Sequence, residues 1–235
     1  MILTVPADLN GYPGVAFGGY VAGVLAGQAA AKTVRVDFRR PTPTGTPLGL
    51  ADTPDGGSEL TNGVLVLAVA TPAEADAAAP EAPSWEEALA AAEAYRAAPP
   101  DEVADCFGCG PGRTSDTGLR LHCGRVPGRE IVAAAWTPGA GLLDGDGNLP
   151  PELVWAALDC PGNAAGRLLG SQRAGAVTAS LTARLRGPVA AAGGLISYAW
   201  LLEEAGRKHR VGTALATADG EVMAVGEALW VDPRS

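Results

Sequence analysis

The sequence predicts an α+β fold made of two copies of one unit, each an apolar helix followed by antiparallel strands. Residues 18–31 and residues 151–169 both have the composition of apolar helices, and a long β-rich stretch follows each of them. These observations place the units at 1–71 and 104–235. The linker between them, 72–103, is rich in Ala, Pro and Glu and is predicted to contain a helix of its own.

Length, composition and charge limit the classes of protein to which the chain can belong. It has 235 residues, of which 18% are charged and 47% hydrophobic, as in a compact globular protein. Its net charge of −9 argues against a nucleic-acid partner, because phosphate binders present broad basic surfaces. The uncharged run 14–31 lacks the basic flank of a signal peptide and is too weakly apolar for a membrane span. We expect a cytoplasmic protein with no nucleic-acid or membrane partner.

The linker contains the clearest start of a helix. SWEE (84–87) matches a capping box, with Ser84 as the N-cap and Glu87 at the third helical position. The helix should therefore begin near Trp85 and end before Pro99, since proline interrupts helical hydrogen bonding. The residues expected on its apolar side are Leu89, Ala92 and Tyr95.

The strand regions of the two units match each other in two places. VRVDFRRP (34–41) aligns with LTARLRGP (181–188), which predicts equivalent strands. The pairs 62–63 (Asn-Gly) and 219–220 (Asp-Gly) each lie between strand-like runs and are typical of tight hairpin turns. Both matches support a duplicated unit.

Three short motifs resemble those of one enzyme family. CFGCGPGRTSDTGLRLHC (106–123) resembles the opening of single-domain hotdog thioesterases, and the stretch 157–160 (ALDC) resembles the part of their central helix that carries an acid. The stretch 17–19 (FGG) resembles a motif of bacterial acyl-CoA thioesterases built from two fused hotdogs. The resemblance implies a double hotdog, in which two tandem units each wrap a curved antiparallel sheet around a central helix. It also implies a thioesterase-like hydrolase.

The two units depart from the family pattern in complementary ways. Alignment of Gly18 with Pro151 brings Ala26 opposite Asp159, so the first unit has the glycines and no acid, and the second has the acid and no glycines. In paired hotdog thioesterases the acid of one unit faces the helix start of the other. The resemblance therefore implies one composite site, with Gly18 and Gly19 as catalytic residues beside Asp159.

The chemistry expected of this site follows from the residue types. The first N–H groups of a helix have no internal partners and can polarise a carbonyl oxygen, so Gly18 and Gly19 would form an oxyanion hole. Asp159 would act as general base or nucleophile on a thioester. The structural alternative is that Asp159 caps or pairs locally beside a helix break at Pro161. A non-catalytic acyl-thioester binder and a tailoring enzyme of the same fold are the rival functions.

Further residues are candidates for substrate binding. Asp8 and Asn10 precede the first helix and would orient water or substrate, unless they belong to a solvated loop. The basic cluster RKHR (207–210) would contact coenzyme A phosphates, unless it is a solvated turn. The complete candidate set is Asp8, Asn10, Phe17, Tyr20, Trp155, Arg207, Lys208 and Arg210. The expected partner is a small-molecule acyl thioester on coenzyme A or a carrier protein, and a homodimer stays open as an assembly.

No cofactor or metal is expected from the sequence. Its four cysteines are Cys106, Cys109, Cys123 and Cys160, and their spacing lacks two closely spaced ligand pairs, so buried thiols are favoured over a zinc site. A separate pattern puts Gly19, Gly23 and Gly27 on one helix face. In membranes this pattern pairs helices, whereas in a soluble chain we expect it to allow a sheet or a ligand chain to pack closely against that helix.

Overall fold

The computed structural model describes residues 1–74, 78–99 and 105–234. The helices are α1 (Gly18–Ala26), α2 (Trp85–Ala97), α3 (Pro151–Ala157) and α4 (Cys160–Leu169), with a 3₁₀ turn at Ala140–Leu142. The strands are β1 (Ile2–Leu3), β2 (Asn10–Tyr12), β3 (Val15–Ala16), β4 (Thr33–Phe38), β5 (Leu48–Asp52), β6 (Ser58–Asn62), β7 (Leu65–Pro72), β8 (Gly124–Arg125), β9 (Val132–Trp136), β10 (Asn148–Leu149), β11 (Val177–Leu185), β12 (Val189–Ala190), β13 (Leu195–Ala205), β14 (Lys208–Thr217) and β15 (Val222–Val231).

One continuous sheet of eleven strands runs through the molecule, in the order β1-β5-β6-β7-β4-β11-β15-β14-β13-β9-β8. The first five strands come from the first half of the chain and the other six from the second half. The halves meet where β4 pairs antiparallel with β11, with Val36 opposite Leu181 and Val34 opposite Ala183. These strands are the ones that the sequence matched as equivalents. Their pairing leaves neither half with an open edge at this position.

Alternate residues of the second half's strands are buried on opposite faces of the sheet. Leu195 and Leu215 belong to the main core beneath the helices, whereas Ile196 and Ala216 belong to a smaller core under α2. This follows from the two-residue period of a strand. Because both faces of the sheet are covered here, every residue of the apolar strand β9 is buried.

Helix α2 has the predicted N-terminus but a different apolar side. Ser84 and Glu87 form the capping box, which confirms the predicted helix start. The buried residues of α2 are Ala88, Ala91 and Ala92, while Leu89 is 37% exposed, so the predicted apolar side was wrong in part. The small alanines allow the helix to lie close to the sheet, and Ala91 packs directly on Gly124. Helix α2 therefore covers one face of the sheet in the second half.

The glycines of α1 pack against a helix, and the prediction of a sheet or ligand chain at this position was wrong. A Cβ atom added at Gly23 would lie 2.5 Å from Glu152 Cα, and one at Gly19 would lie 2.8 Å from Ala156 Cα. Only glycine allows the backbones of α1 and α3 to approach so closely. This contact joins the two halves a second time.

Two predicted helices are shorter than expected. The first ends at Ala26, and the second is interrupted so that Asp159 lies between α3 and α4. The interruption precedes Pro161, which cannot donate a helical hydrogen bond.

Both predicted hairpins are confirmed, with Gly63 and Gly220 at positive φ in their turns. Among the described residues, no helix is both long enough and apolar enough to cross a membrane.

Candidate active site

Asp159 lies at the junction of the two halves, with a hydrogen-bond donor on each carboxylate oxygen. The backbone N–H of Gly19, at the start of α1, donates to Oδ2 over 2.8 Å. The hydroxyl of Thr178, at the start of β11, donates to Oδ1 over 2.7 Å. The strand register shifts between Thr178 and Ser180, and such bulges redirect side chains. The alternative of a local cap is wrong, because the partners of Asp159 lie 140 and 19 residues away.

Burial determines the protonation behaviour of this acid. Asp159 is 2% exposed, and burial raises its pKa to about 6, although the hydrogen bonds from Thr178 and Gly19 lower it. A carboxylate with a pKa near 6 is largely ionised at neutral pH and is a stronger base than an exposed aspartate. The environment therefore suits Asp159 to accept a proton.

The two glycines have different partners. The Gly19 N–H is occupied by Asp159, whereas the Gly18 N–H has no acceptor among the described residues. A Cβ at Gly18 would lie 3.2 Å from Asp159 Oδ2, so glycine keeps the space beside the carboxylate open. The predicted pair of oxyanion donors thus divides into one amide that holds the acid and one that is free.

A cavity of about 390 Å³ opens onto Asp159, Gly18 and Thr178. Its wall is mainly apolar and includes Phe17, the one member of the predicted substrate-binding set that lines it. Tyr12 also lines the cavity, where its hydroxyl donates to Ala176 O, and burial raises its pKa to about 12. A cavity with this lining suits an apolar chain that ends at a polar reacting group.

Two arginines that the sequence analysis did not single out lie at the same cavity. Arg39 and Arg40 follow β4, line the cavity and are exposed, and no carboxylate pairs with them in the described part of the chain. Their position beside an apolar cavity is suited to an anionic group carried by the substrate. A consecutive Arg-Arg pair at the end of a predicted strand was the available signal.

The other predicted substrate-binding residues lie outside this cavity. Asn10 is buried and bonds to Asp105 and Arg113, where it fastens the loop that contains Cys106. Asp8 is exposed in a turn. The side chain of Tyr20 lies toward Glu152, and burial raises its pKa.

The basic cluster is held by its own neighbours. Arg210 forms ion pairs with Glu203 at 2.8 Å and Glu227 at 3.0 Å, and Arg207 donates to the backbone oxygen of Asp232. Arg207, Lys208 and Arg210 do not line the cavity that contains Asp159. The structure therefore does not bring this cluster to the acid.

A larger cavity of about 1230 Å³ lies at the position equivalent to the site. Ala26 and Pro151, which the sequence aligned with Asp159 and Gly18, both line it. It also contains Trp155, which the sequence analysis assigned to the substrate site. The aligned position, Ala26, has no carboxylate, and the helix start at Pro151 has no glycine amide.

Three of the four cysteines meet beside Asp159, which their spacing did not predict. The Sγ atoms of Cys106, Cys109 and Cys160 all lie within 4.8 Å of one another, and Cys123 lies outside this group. Hydrogen bonds from the Cys109 and Cys160 thiols, and from the backbone N–H groups of Cys109 and Gly108, lower the pKa of Cys106. All three thiols line the cavity that contains Asp159.

Comparisons with known proteins relate this chain to solved structures alone. No protein-family model and no curated protein matches it. A tesB protein of Mycobacterium avium subs paratuberculosis superposes with a TM-score of 0.61 at 16% identity, over 99% of this chain and 92% of that one. The acyl-CoA thioesterase II TesB2 of Mycobacterium marinum gives 0.57 at 14% identity, over 100% and 93%.

A third structure carries the name of the fold. A conserved protein of unknown function with a hot dog fold, from Alicyclobacillus acidocaldarius, superposes with a TM-score of 0.54 at 11% identity, over 100% of this chain and 93% of that one. The resemblance of the sequence motifs to hotdog thioesterases agrees with the names of these structures. At such low identities the likeness establishes the hotdog fold.

Proposed function

We propose that the protein hydrolyses acyl thioesters at one composite site between its two halves. The observation that carries this proposal is the pair of donors on Asp159, one from α1 of the first half and one from β11 of the second half. A buried carboxylate that is fixed in position at the wall of an apolar cavity has the chemistry of a general base.

The proposed reaction uses water as the nucleophile. Asp159 removes a proton from water, and the water oxygen attacks the thioester carbonyl carbon. The developing oxyanion accepts a hydrogen bond from the free Gly18 N–H at the positive end of α1. The C–S bond then breaks, and the proton passes from Asp159 to the departing thiolate. Gly19 and Thr178 act as positioning residues, because their hydrogen bonds are already used to orient the carboxylate.

The proposed substrate class is acyl-coenzyme A. The apolar wall beside Phe17 would receive the acyl chain, and Arg39 and Arg40 would contact the phosphates of coenzyme A. The name of the Mycobacterium marinum structure, an acyl-CoA thioesterase, supports this class. The carrier-protein thioester is the other donor that the sequence left open.

The proposed architecture is a double hotdog with units at 1–71 and 104–235. The seam between β4 and β11 supports this division, as does the core helix that each half contributes, α1 or α3. Strand β7 extends to Pro72, one residue beyond the proposed boundary. The cytoplasmic location stays a prediction.

Replacement of Asp159 tests the proposed function. We expect Asp159→Asn to lower kcat for acyl-coenzyme A hydrolysis on the order of a hundredfold or more, because the amide cannot accept the proton. The release of free thiol is measured over a panel of short, medium, long and aromatic acyl groups. Binding should persist, since the cavity is otherwise unchanged.

The matched control is Asp144→Asn, which removes an acid from the lining of the larger cavity of about 1230 Å³. It should leave the rate unchanged. Equal rates for the parent and Asp159→Asn would remove Asp159 from the mechanism. Saturable binding of acyl-coenzyme A without hydrolysis by the parent would favour the non-catalytic binder instead.

A further inference from the structure

The cysteine cluster has the geometry of a metal-ligand set. In a tetrahedral zinc site with Zn–S bonds of about 2.3 Å, neighbouring sulfurs lie about 3.8 Å apart. Cys106 Sγ and Cys160 Sγ lie 3.8 Å apart, and Cys109 Sγ lies within 4.8 Å of both. A disulfide would need a separation of about 2.05 Å, so Cys106 and Cys160 are free thiols, and their separation matches that of two sulfurs on one metal ion.

The loop that follows Cys106 approaches Cys160 closely because it contains a glycine. A Cβ at Gly108 would lie 2.4 Å from Cys160 Sγ, so the glycine is what allows this loop to bring its thiols onto Cys160.

Elements on both sides hold the cluster in place. Phe107 N donates to Asn10 O over 2.8 Å, and Leu121 N donates to Gly108 O over 2.8 Å, so the loop is fastened to both halves of the chain. Cys160 is the first residue of α4, so the start of that helix fixes its position. The three sulfurs are therefore positioned before any ligand binds.

We propose that Cys106, Cys109 and Cys160 bind one zinc ion, with a fourth coordination position open to the cavity. Metal–sulfur bonds replace the S–H bonds, the thiol protons pass to the solvent, and no oxidation or reduction is involved. The earlier expectation of no metal rested on spacing along the chain. In the folded protein Cys160 lies beside the Cys-x-x-Cys pair, although 51 positions separate it from Cys109 in the sequence.

The proposal does not depend on thioester hydrolysis, and its test does not measure activity. The full chain is purified under reducing conditions without chelator, and its metals are measured by mass spectrometry. We expect about one zinc per chain, because the three thiols form a single site. After the zinc has been removed, added Co²⁺ should give the visible bands of tetrahedral cobalt and a sulfur-to-cobalt charge-transfer band.

The matched variants are Cys160→Ser and Cys123→Ser, which both replace a buried cysteine. Cys160→Ser should lose the stoichiometric zinc and the charge-transfer band, whereas Cys123→Ser should keep both. If Cys160→Ser fails to fold, the cobalt spectrum of the unmodified chain decides. A chain that is purified without zinc and binds neither added Zn²⁺ nor Co²⁺ would overturn the proposal, as would one copper ion per chain in place of zinc.

Discussion

Burial of the Asp159 carboxylate lowers the stability of the folded protein, and the hydrogen bonds around it offset only part of that loss. A carboxylate 2% exposed loses most of its hydration, and two hydrogen bonds replace only some of the water that it would otherwise bind. The pKa near 6 expresses the remaining penalty on the charged form. A residue with this balance is typical of a functional site, where stability is lower than an apolar side chain would give.

Arg39 and Arg40 allow a prediction about the thiol carrier. We expect the double change Arg39→Ala/Arg40→Ala to raise KM for acyl-coenzyme A about tenfold, which corresponds to ~1.4 kcal/mol, because the phosphates lose both cations. The same variant should hydrolyse a thioester of N-acetylcysteamine, which has no phosphate, with unchanged KM. Steady-state kinetics on the two substrates measure the difference.

The control for this prediction is Lys208→Ala/Arg210→Ala, which changes the basic cluster that the sequence favoured. We expect no change in KM on either substrate, since Arg210 is paired with two glutamates and lies outside the cavity lining. A rise in KM for this variant, with none for the Arg39/Arg40 variant, would show that the basic cluster contacts the phosphates and that Arg39 and Arg40 do not.

Single residues of the site differed in how far the sequence could predict them. The proximity of Asp159 to Gly18 and Gly19 could be predicted, because short motifs carry these residues in a recognisable order. Thr178 could not, since a threonine in a strand has no local signal and its role arises from a bulge. The contact of Cys160 with the other two cysteines could not be predicted either, because sequence spacing does not report contacts between distant segments.

At the scale of elements, the contact between α1 and α3 determines where the acid lies. Gly19 and Gly23 are four residues apart on one face of α1, and both face the backbone of α3. This close approach brings the start of α1 within hydrogen-bond distance of Asp159, which follows α3. A helix pair held apart by larger side chains would separate the amide from the acid.

This contact predicts that replacement by alanine lowers stability at Gly23 and not at Gly27, although both glycines lie on the same predicted helix face. Gly23→Ala should lower the free energy of unfolding by about 1–3 kcal/mol, because its Cβ would collide with the Glu152 backbone. Gly27→Ala should stay within about 0.5 kcal/mol of the parent, since its added Cβ has no neighbour closer than 3.4 Å and its φ is −65°. Urea unfolding followed by circular dichroism measures both. Equal losses would show that α1 and α3 can separate without penalty.

Elements were predictable where local chemistry alone determines them. The start of α2 depends on four consecutive residues, and it was predicted correctly. The break between α3 and α4 lies just before Pro161, which the sequence analysis noted as an alternative, whereas the hydrogen-bond partners of Asp159 at that break are distant in the sequence and were not all predicted. The partner of the glycine stripe was missed for the same reason.

At the scale of the whole molecule, the two halves share one core. A single cluster of buried residues includes Leu25 and Leu60 from the first half and Leu181 and Leu215 from the second half. The seam between β4 and β11 adds backbone hydrogen bonds across the same boundary. A composite site requires this continuity, because its amide and its acid come from different halves.

The shared core predicts that the chain unfolds as one cooperative unit. All five tryptophans lie between Trp85 and Trp230, so their fluorescence reports on the linker and the second half. Leu60→Ala, a change in the buried core of the first half, should lower the free energy of unfolding by about 2–5 kcal/mol. It should shift the urea midpoint equally by tryptophan fluorescence and by circular dichroism.

The control, Leu65→Ala, truncates a side chain 48% exposed in the adjacent strand and should shift both midpoints far less. A fluorescence midpoint unchanged by Leu60→Ala, with a displaced first phase by circular dichroism, would show that the halves unfold independently.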